Sequence, residues 1–366
     1  MNLPTGDAPE SFWLQLGGGQ GMVADLDTIC RIIRSKNRFV VSAHMHFDGD
    51  GGASQLAIAR LLRLGGKQAI VANDEETPLQ FRFLPEVGTI KKEVPPDYRP
   101  DAVVIIDTPV REHINCGEVR RRYQKPVSPA EEAGSIGGTP WSDVATIFID
   151  HHERSDTIGD YVYVDPKASA AATIVSRLLR LMDVPPDPML GVMIICGIMS
   201  DTGRFSFAGT SAESLRIIAE MMDAGASVSD VATELYYRNS FESVKVTGQA
   251  LSTIEVSPSG KVCTMLLEKE AVSTDGTAIE TEDLPNYTVS VRGVEIGMFL
   301  RPSGNGEVRV SVRSAGDADV NKFAAQFGGG GHKKAAGCRL KGPIHDARKL
   351  LVEAAEKYIA EMEKHK

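Results

Sequence analysis

The chain has 366 residues, of which 42% are hydrophobic and 24% charged, with a formal net charge of −9 at pH 7. This length exceeds a typical single core and predicts two domains. The acidic balance excludes bulk, sequence-independent binding of duplex nucleic acid and leaves small anionic substrates open.

Residues 1–21 are rich in Gly and Pro and read as a flexible lead-in. No Lys or Arg precedes Arg31, so a secretory signal is not expected. From 22 to 235, the expected first domain, strand-like and helix-like runs alternate, which predicts βαβ units and a mostly parallel sheet in an α/β fold. A strand begins at Phe39-Val40-Val41, Ser54 to Leu64 reads as a helix stopped by Gly65-Gly66, and Gln68 to Ala72 and Ala102 to Ile106 read as strands. Residues 115–142 interrupt the pattern with Arg120 to Arg122 followed by Pro, Gly and Ser, and read as a surface insertion. Another apolar run, Ala145 to Ile149, comes next; 169–182 and 211–237 are helical in pattern, and Met189 to Met199 is an apolar segment between them. Residues 236–251 read as a linker into a smaller mixed α/β domain, 252–366. There 261–267, 294–300 and 308–312 are strand-like, 320–327 is helical, and 345–364 forms a long amphipathic helix. No run reaches the ~18 apolar residues needed to cross a bilayer. The five cysteines lack any Cys-x-x-Cys spacing, so a reducing, cytoplasmic setting is expected.

The chemistry-bearing residues stand at the ends of apolar runs. His44, Asp48 and Asp50 follow the run 39–43, Asp107 follows 102–106, Asp150-His151-His152 closes 145–149, and Asp201 follows 189–199. Parallel strands bring their C-terminal ends to one edge, where ligand sites form. Singly, each element has a structural reading: Asp48-Gly49-Asp50-Gly51-Gly52 as a turn, Asp107 as a helix cap, Asp201 as a cap of the next segment. A calcium loop fails because its twelfth position is Ala59 rather than Glu. Together they describe a two-metal site for phosphate ester hydrolysis. A mixed His and Asp set without Cys favours hard divalent ions, manganese first, with Mg²⁺ or Co²⁺ as alternatives. In the second domain, Gly328-Gly329-Gly330-Gly331-His332-Lys333-Lys334 allows backbone N–H groups close to an anion, but is no Walker A loop.

These motifs resemble the DHH phosphoesterase superfamily. His44-x-x-x-Asp48-x-Asp50 matches its first motif, Asp107 its second, Asp150-His151-His152 its third and Asp201 its fourth. The glycine-rich run with Val310 to Ser314 resembles the DHH-associated domain, so the likeness spans roughly residues 35–340. It implies one metal held by His44, Asp48 and Asp107, and a second held by Asp50, Asp107, His151 and Asp201, with Asp107 bridging. Asp150 would orient a ligand histidine, and His152 would touch the scissile phosphate or its leaving oxygen. Gly329, Gly330, Gly331 and His332 would contact the substrate, with Arg313 a phosphate partner, in a cleft between the domains. Departures are Phe47 where members often carry Pro, Gly51-Gly52-Ala53 in place of an Ala-hydrophobic-Gly order, and an extra histidine, His46, not counted among the ligands.

The two-domain form resembles the compact nanoRNases. This implies hydrolysis of short single-stranded RNA to 5′-mononucleotides and of 3′-phosphoadenosine 5′-phosphate to AMP, with no membrane partner and a homodimer left open. A cyclic di-AMP or linear dinucleotide phosphodiesterase is the nearest alternative. A manganese pyrophosphatase ranks lower because it lacks the 328–337 run, and exopolyphosphatase activity stays open. A non-catalytic nucleotide-binding regulator should have lost a metal ligand, and all six are present.

Overall fold

The computed structural model describes residues 22–123, 141, 143–152, 158–269, 281, 283–303, 306–331 and 333–364. The lead-in, His332 and most of the 115–142 insertion therefore lie outside the described residues. The chain divides into two units, Met1–Arg238 and Asn239–Lys366.

In the first unit, strands β1 (Met22–Val23), β2 (Arg38–Ser42), β3 (Gln68–Val71), β4 (Ala102–Ile106), β5 (Ala145–Asp150) and β6 (Tyr161–Val164) form one sheet. Their order is β1-β6-β5-β4-β2-β3, and every pairing is parallel. The side-chain period of two divides the central strands between two cores. Phe39, Val41, Val104, Ile106, Ile147 and Ile149 enter one core, while Val40, Val103, Ile105 and Phe148 enter the other. The chain steps from β2 outward to β3, then returns to place β4 on the far side of β2. The reversal opens a crevice between the C-terminal ends of β2 and β4, the place where ligands bind in such sheets.

The helices of this unit are α1 (Leu26–Ser35), α2 (Gly49–Leu64), α3 (Gly117–Tyr123), α4 (Ala171–Leu181), α5 (Pro188–Asp201), α6 (Ala212–Asp223) and α7 (Val228–Tyr236). Helix α2 begins at Gly49, earlier than the Ser54 start expected from sequence. The Asp48 carboxylate accepts from Gly51 N–H at 2.8 Å and caps the helix, so the glycine run forms its first turn. The helical stretch 211–237 breaks into α6 and α7, because Gly225 adopts a left-handed φ of 95° and Ser227 caps the next helix.

In the second unit, β7 (Glu255–Val256), β8 (Val262–Leu266), β9 (Ile296–Pro302), β10 (Glu307–Ser314), β11 (Gly330–Gly331) and β12 (Ala335–Lys341) form a mixed sheet ordered β11-β12-β10-β9-β8-β7. Helix α8 (Phe241–Leu251) occupies most of the expected linker, and its Ala250 is buried with Met265, Leu284 and Phe299. Helices α9 (Leu284–Val289) and α10 (Val320–Ala325) are short. Helix α11 (Ile344–Lys364) lays Ala347, Leu351, Ala355 and Ile359, four residues apart, on the core. Among the described residues, no helix is long and apolar enough to cross a membrane.

Candidate active site

Asp107 stands at the centre of the crevice. It leaves β4 in a left-handed conformation, φ 53°, one that Asp tolerates better than most residues. Its N–H donates to Ile149 O at 2.9 Å, which locks it to β5. Its two carboxylate oxygens face different neighbours. Oδ2 lies 3.6 Å from His44 Nε2, and Oδ1 lies 3.4 Å from His151 Nε2.

Two groups of potential ligands flank it. His44, Asp48 and Asp107 form one, with His44 Nε2 3.3 Å from Asp48 Oδ2. Asp50, His151 and Asp201 form the other, with His151 Nε2 3.7 Å from Asp50 Oδ2 and 3.3 Å from Asp201 Oδ2. Asp107 also groups with His151 and His152. Three strand ends and two helix ends thus bring together all six residues expected to hold metal.

The fit to cations shows in the atoms left over. Asp107 Oδ1 is buried and accepts no hydrogen bond, an expensive state unless a cation completes it. Burial disfavours the charged form of His44, yet its contacts with Asp107 and Asp48 win, and its pKa is pushed up to about 12. The same contest raises His151 to about 10. Burial and the charges of His151 and His44 act oppositely on Asp107, and the imidazoles hold it well below the usual carboxylate range. Burial, then the charges of Asp107 and Asp201, push Asp50 well above that range. Burial likewise raises Asp201 to about 6. The carboxylates therefore demand positive charge, which protons satisfy in the absence of metal.

Neighbouring groups fix the ligands. Ala168 O lies 3.2 Å from His151 Nδ1; a proton on that nitrogen leaves the Nε2 lone pair facing Asp50, Asp107 and Asp201. Asp50 accepts from Ala171 N–H at 2.5 Å and Ala172 N–H at 3.0 Å, so it caps α4, whose own N-cap Ala170 has no side chain to do so. Ser54 Oγ donates to Asp50 from one turn along α2, at 2.9 Å. Asp150 Oδ1 sits 2.8 Å from His152 Nδ1 and accepts from His151 N–H at 2.8 Å, so the ring it orients is that of His152, which groups with Asp107 and His151. His46 is 83% exposed beside Glu75 and belongs to none of the groups.

The glycines of α2 permit close packing. A Cβ on Gly51 would lie 2.9 Å from His44 Nε2, and one on Gly49 would lie 1.8 Å from Ser200 Oγ. A Cβ on Gly52 would lie 2.0 Å from Phe47 Cε1, and Phe47 is itself buried with its ring 5.4 Å from that of Phe81. The two departures, Phe47 and Gly52, therefore explain one another. Gly→Ala inside a helix ordinarily stabilises by about 1 kcal/mol, but Gly52→Ala is expected to destabilise by about 1–3 kcal/mol through overpacking. In a Phe47→Ala background that penalty should vanish, a coupling of at least about 1 kcal/mol by double-mutant cycle in urea. Additive penalties would contradict the explanation.

The second-domain residues behave differently from a free loop. Gly330 and Gly331 form the edge strand β11, paired with Gly337 and Ala336. A Cβ on Gly329 would lie 2.1 Å from Gly337 O, and one on Gly331 would lie 2.6 Å from Ala335 O, so the glycines are needed by the sheet as well. Gly330 and Gly331 remain exposed. Arg313, on β10, donates through Nε to Asn286 Oδ1 at 3.2 Å.

Known proteins resemble this chain in sequence and in fold. Residues 260–361 match the DHHA1 domain family. The bifunctional oligoribonuclease and PAP phosphatase NrnA of Thermus thermophilus is 30% identical over 86% of this chain and 88% of its own length. This chain belongs to the DHH phosphoesterase family. It is a metal-dependent hydrolase of phosphoester bonds. The cyclic-di-AMP phosphodiesterase PdeA of Listeria monocytogenes is 22% identical over 89% of this chain, but that covers only 48% of PdeA. A crystal structure of an exopolyphosphatase-related protein from Bacteroides fragilis shares the fold, with a TM-score of 0.76 at 24% identity over 91% of this chain and 96% of that one.

Proposed function

We propose that this DHH phosphoesterase hydrolyses short single-stranded RNA to 5′-mononucleotides and removes the 3′-phosphate from 3′-phosphoadenosine 5′-phosphate. The observation that carries the chemistry is the placement of Asp107, whose two oxygens face two separate ligand groups. Support for the substrate class is the near end-to-end likeness to an oligoribonuclease and PAP phosphatase, where the likeness to PdeA spans only half of that protein.

His44, Asp48 and Asp107 would hold one divalent ion, and Asp50, His151, Asp201 and Asp107 the other. The donor set favours manganese, since imidazole suits it better than magnesium. When bound, such a pair supplies Lewis acidity to phosphoryl oxygens and makes water a nucleophile at neutral pH. The chain's own groups do the rest. The buried Asp107 keeps its charge between the two groups, Ala168 O sets the His151 tautomer, and Asp150 holds His152 where it can donate to a phosphate oxygen. Arg313 is assigned to a substrate phosphate, for which a guanidinium fork is suited. Gly329, Gly330, Gly331 and His332 are assigned to the nucleotide.

The test is a chromatographic time course with Mn²⁺ and an equimolar mixture of the linear dinucleotide pApA, 3′-phosphoadenosine 5′-phosphate and cyclic di-AMP. Early conversion of pApA to AMP with the cyclic compound untouched is expected. Early loss of the cyclic compound would move the chain to cyclic dinucleotide turnover. Consumption of none of the three would overturn the reading.

A further inference from the structure

The backbone leaving Asp201 is strained where an ordinary helix end would not be. Gly203, Arg204 and Phe205 adopt left-handed φ values of 52°, 60° and 66° in succession. For the two residues that carry a Cβ, this conformation costs energy and persists only where surrounding contacts enforce it. Those contacts are present. Thr202 is buried; its hydroxyl donates to Ile198 O at 2.6 Å and accepts from Phe205 N–H at 3.2 Å. The Arg204 guanidinium stacks on Tyr236, 3.8 Å from the ring centroid, and Tyr236 Oη donates to Met199 O at 3.1 Å. Phe207 N–H donates to Thr202 O at 3.0 Å.

The turn separates two aromatic side chains. Phe205 packs against the core, whereas Phe207 is 52% exposed. The Phe207 ring lies against Gly203, where a Cβ would come within 2.4 Å of Cζ. One part of the ring is thus supported by rigid backbone two residues from Asp201, a carboxylate 3.3 Å from His151 Nε2, and the rest meets solvent. Isolated exposed apolar residues are ordinary; one held by a strained turn beside a phosphoester site is not.

We propose that Phe207 is a stacking platform for a nucleobase of the substrate. The proposal rests on the nucleotide reading above and names a subsite for it. Every base offers a π-face, so an aromatic platform adds affinity without demanding one sequence. A ring seated on the turn that follows Asp201 would hold a nucleoside near the ester being cut.

The experiment compares wild type, Phe207→Ala and Phe207→Trp on pApA and on two analogues, each with one adenosine replaced by an abasic ribose. Phe207→Ala should raise KM for pApA about 10-fold with kcat within about twofold, and Phe207→Trp should restore it. One abasic analogue should bind wild type as weakly as pApA binds Phe207→Ala, and its KM should not change further in that variant. An unchanged KM for pApA in Phe207→Ala, or an equal rise for both abasic analogues, would overturn the platform alone. Failure of wild type to consume either pApA or 3′-phosphoadenosine 5′-phosphate would instead overturn the nucleotide reading, and the platform with it.

Discussion

Asp107→Asn should lower kcat on the order of 10³-fold or more at saturating Mn²⁺, while the metal-free protein keeps a melting temperature near that of wild type. Asn matches Asp in volume and also tolerates the left-handed φ of 53° at this position. The substitution therefore removes a charge without disturbing the end of β4. Ala would be a poorer probe, since it would strain the backbone and leave a void at a buried position. His44 and His151 would still face Asp48, Asp50 and Asp201, so neither imidazole is stranded. On the proposed reading the loss falls on metal binding, because an amide carries no charge to share between the two ligand groups that Asp107 faces. A steady-state assay paired with thermal unfolding separates the two effects. A kcat within tenfold of wild type would rule out Asp107 as the shared ligand.

Most of this candidate site was legible in the sequence because the residues it brings together are tied to local pattern. An acidic residue or histidine directly after a buried apolar strand can only emerge at the sheet's C-terminal edge, and β2, β4 and β5 are neighbours there. What could not be read depends on distant chain. The bonds from Asp50 to Ala171 and Ala172 N–H span more than a hundred residues, and their only local trace is an α4 start without a capping side chain. The target of Asp150 was also hidden, since adjacent histidines look alike until Ala168 O takes one ring and Asp150 the other. In the second unit, the glycine run reads as a loop because β11 becomes a strand only through pairing with β12. Strand β6, which pairs with β1 on one side and β5 on the other, is only four residues long and did not stand out in the sequence. Phe47 and Gly52 looked like two unrelated departures, and only the 2.0 Å encounter of a would-be Cβ with the ring makes them one feature.

Binding of two Mn²⁺ ions to the metal-free protein is expected to release about two protons near pH 8, one per ion, and the apparent affinity for each ion should rise roughly tenfold per pH unit between pH 7 and 9. The two imidazoles set the sign. With pKa values pushed to about 12 and about 10, His44 and His151 are both protonated in the metal-free state across this range. Each must be neutral to ligate, so each gives up one proton, and raising the pH favours the bound state. Below pH 6, Asp201, raised to about 6, also becomes protonated and must release its proton to ligate, so the dependence should steepen as pH falls. Titration calorimetry in buffers of different protonation enthalpy counts the protons directly. A flat pH dependence would show that the imidazoles are already neutral and that the carboxylates do not hold protons in place of metal. Asp107→Asn supplies the internal control. Removing the carboxylate that faces both rings lowers their pKa values, so this variant should release fewer protons per bound ion than wild type.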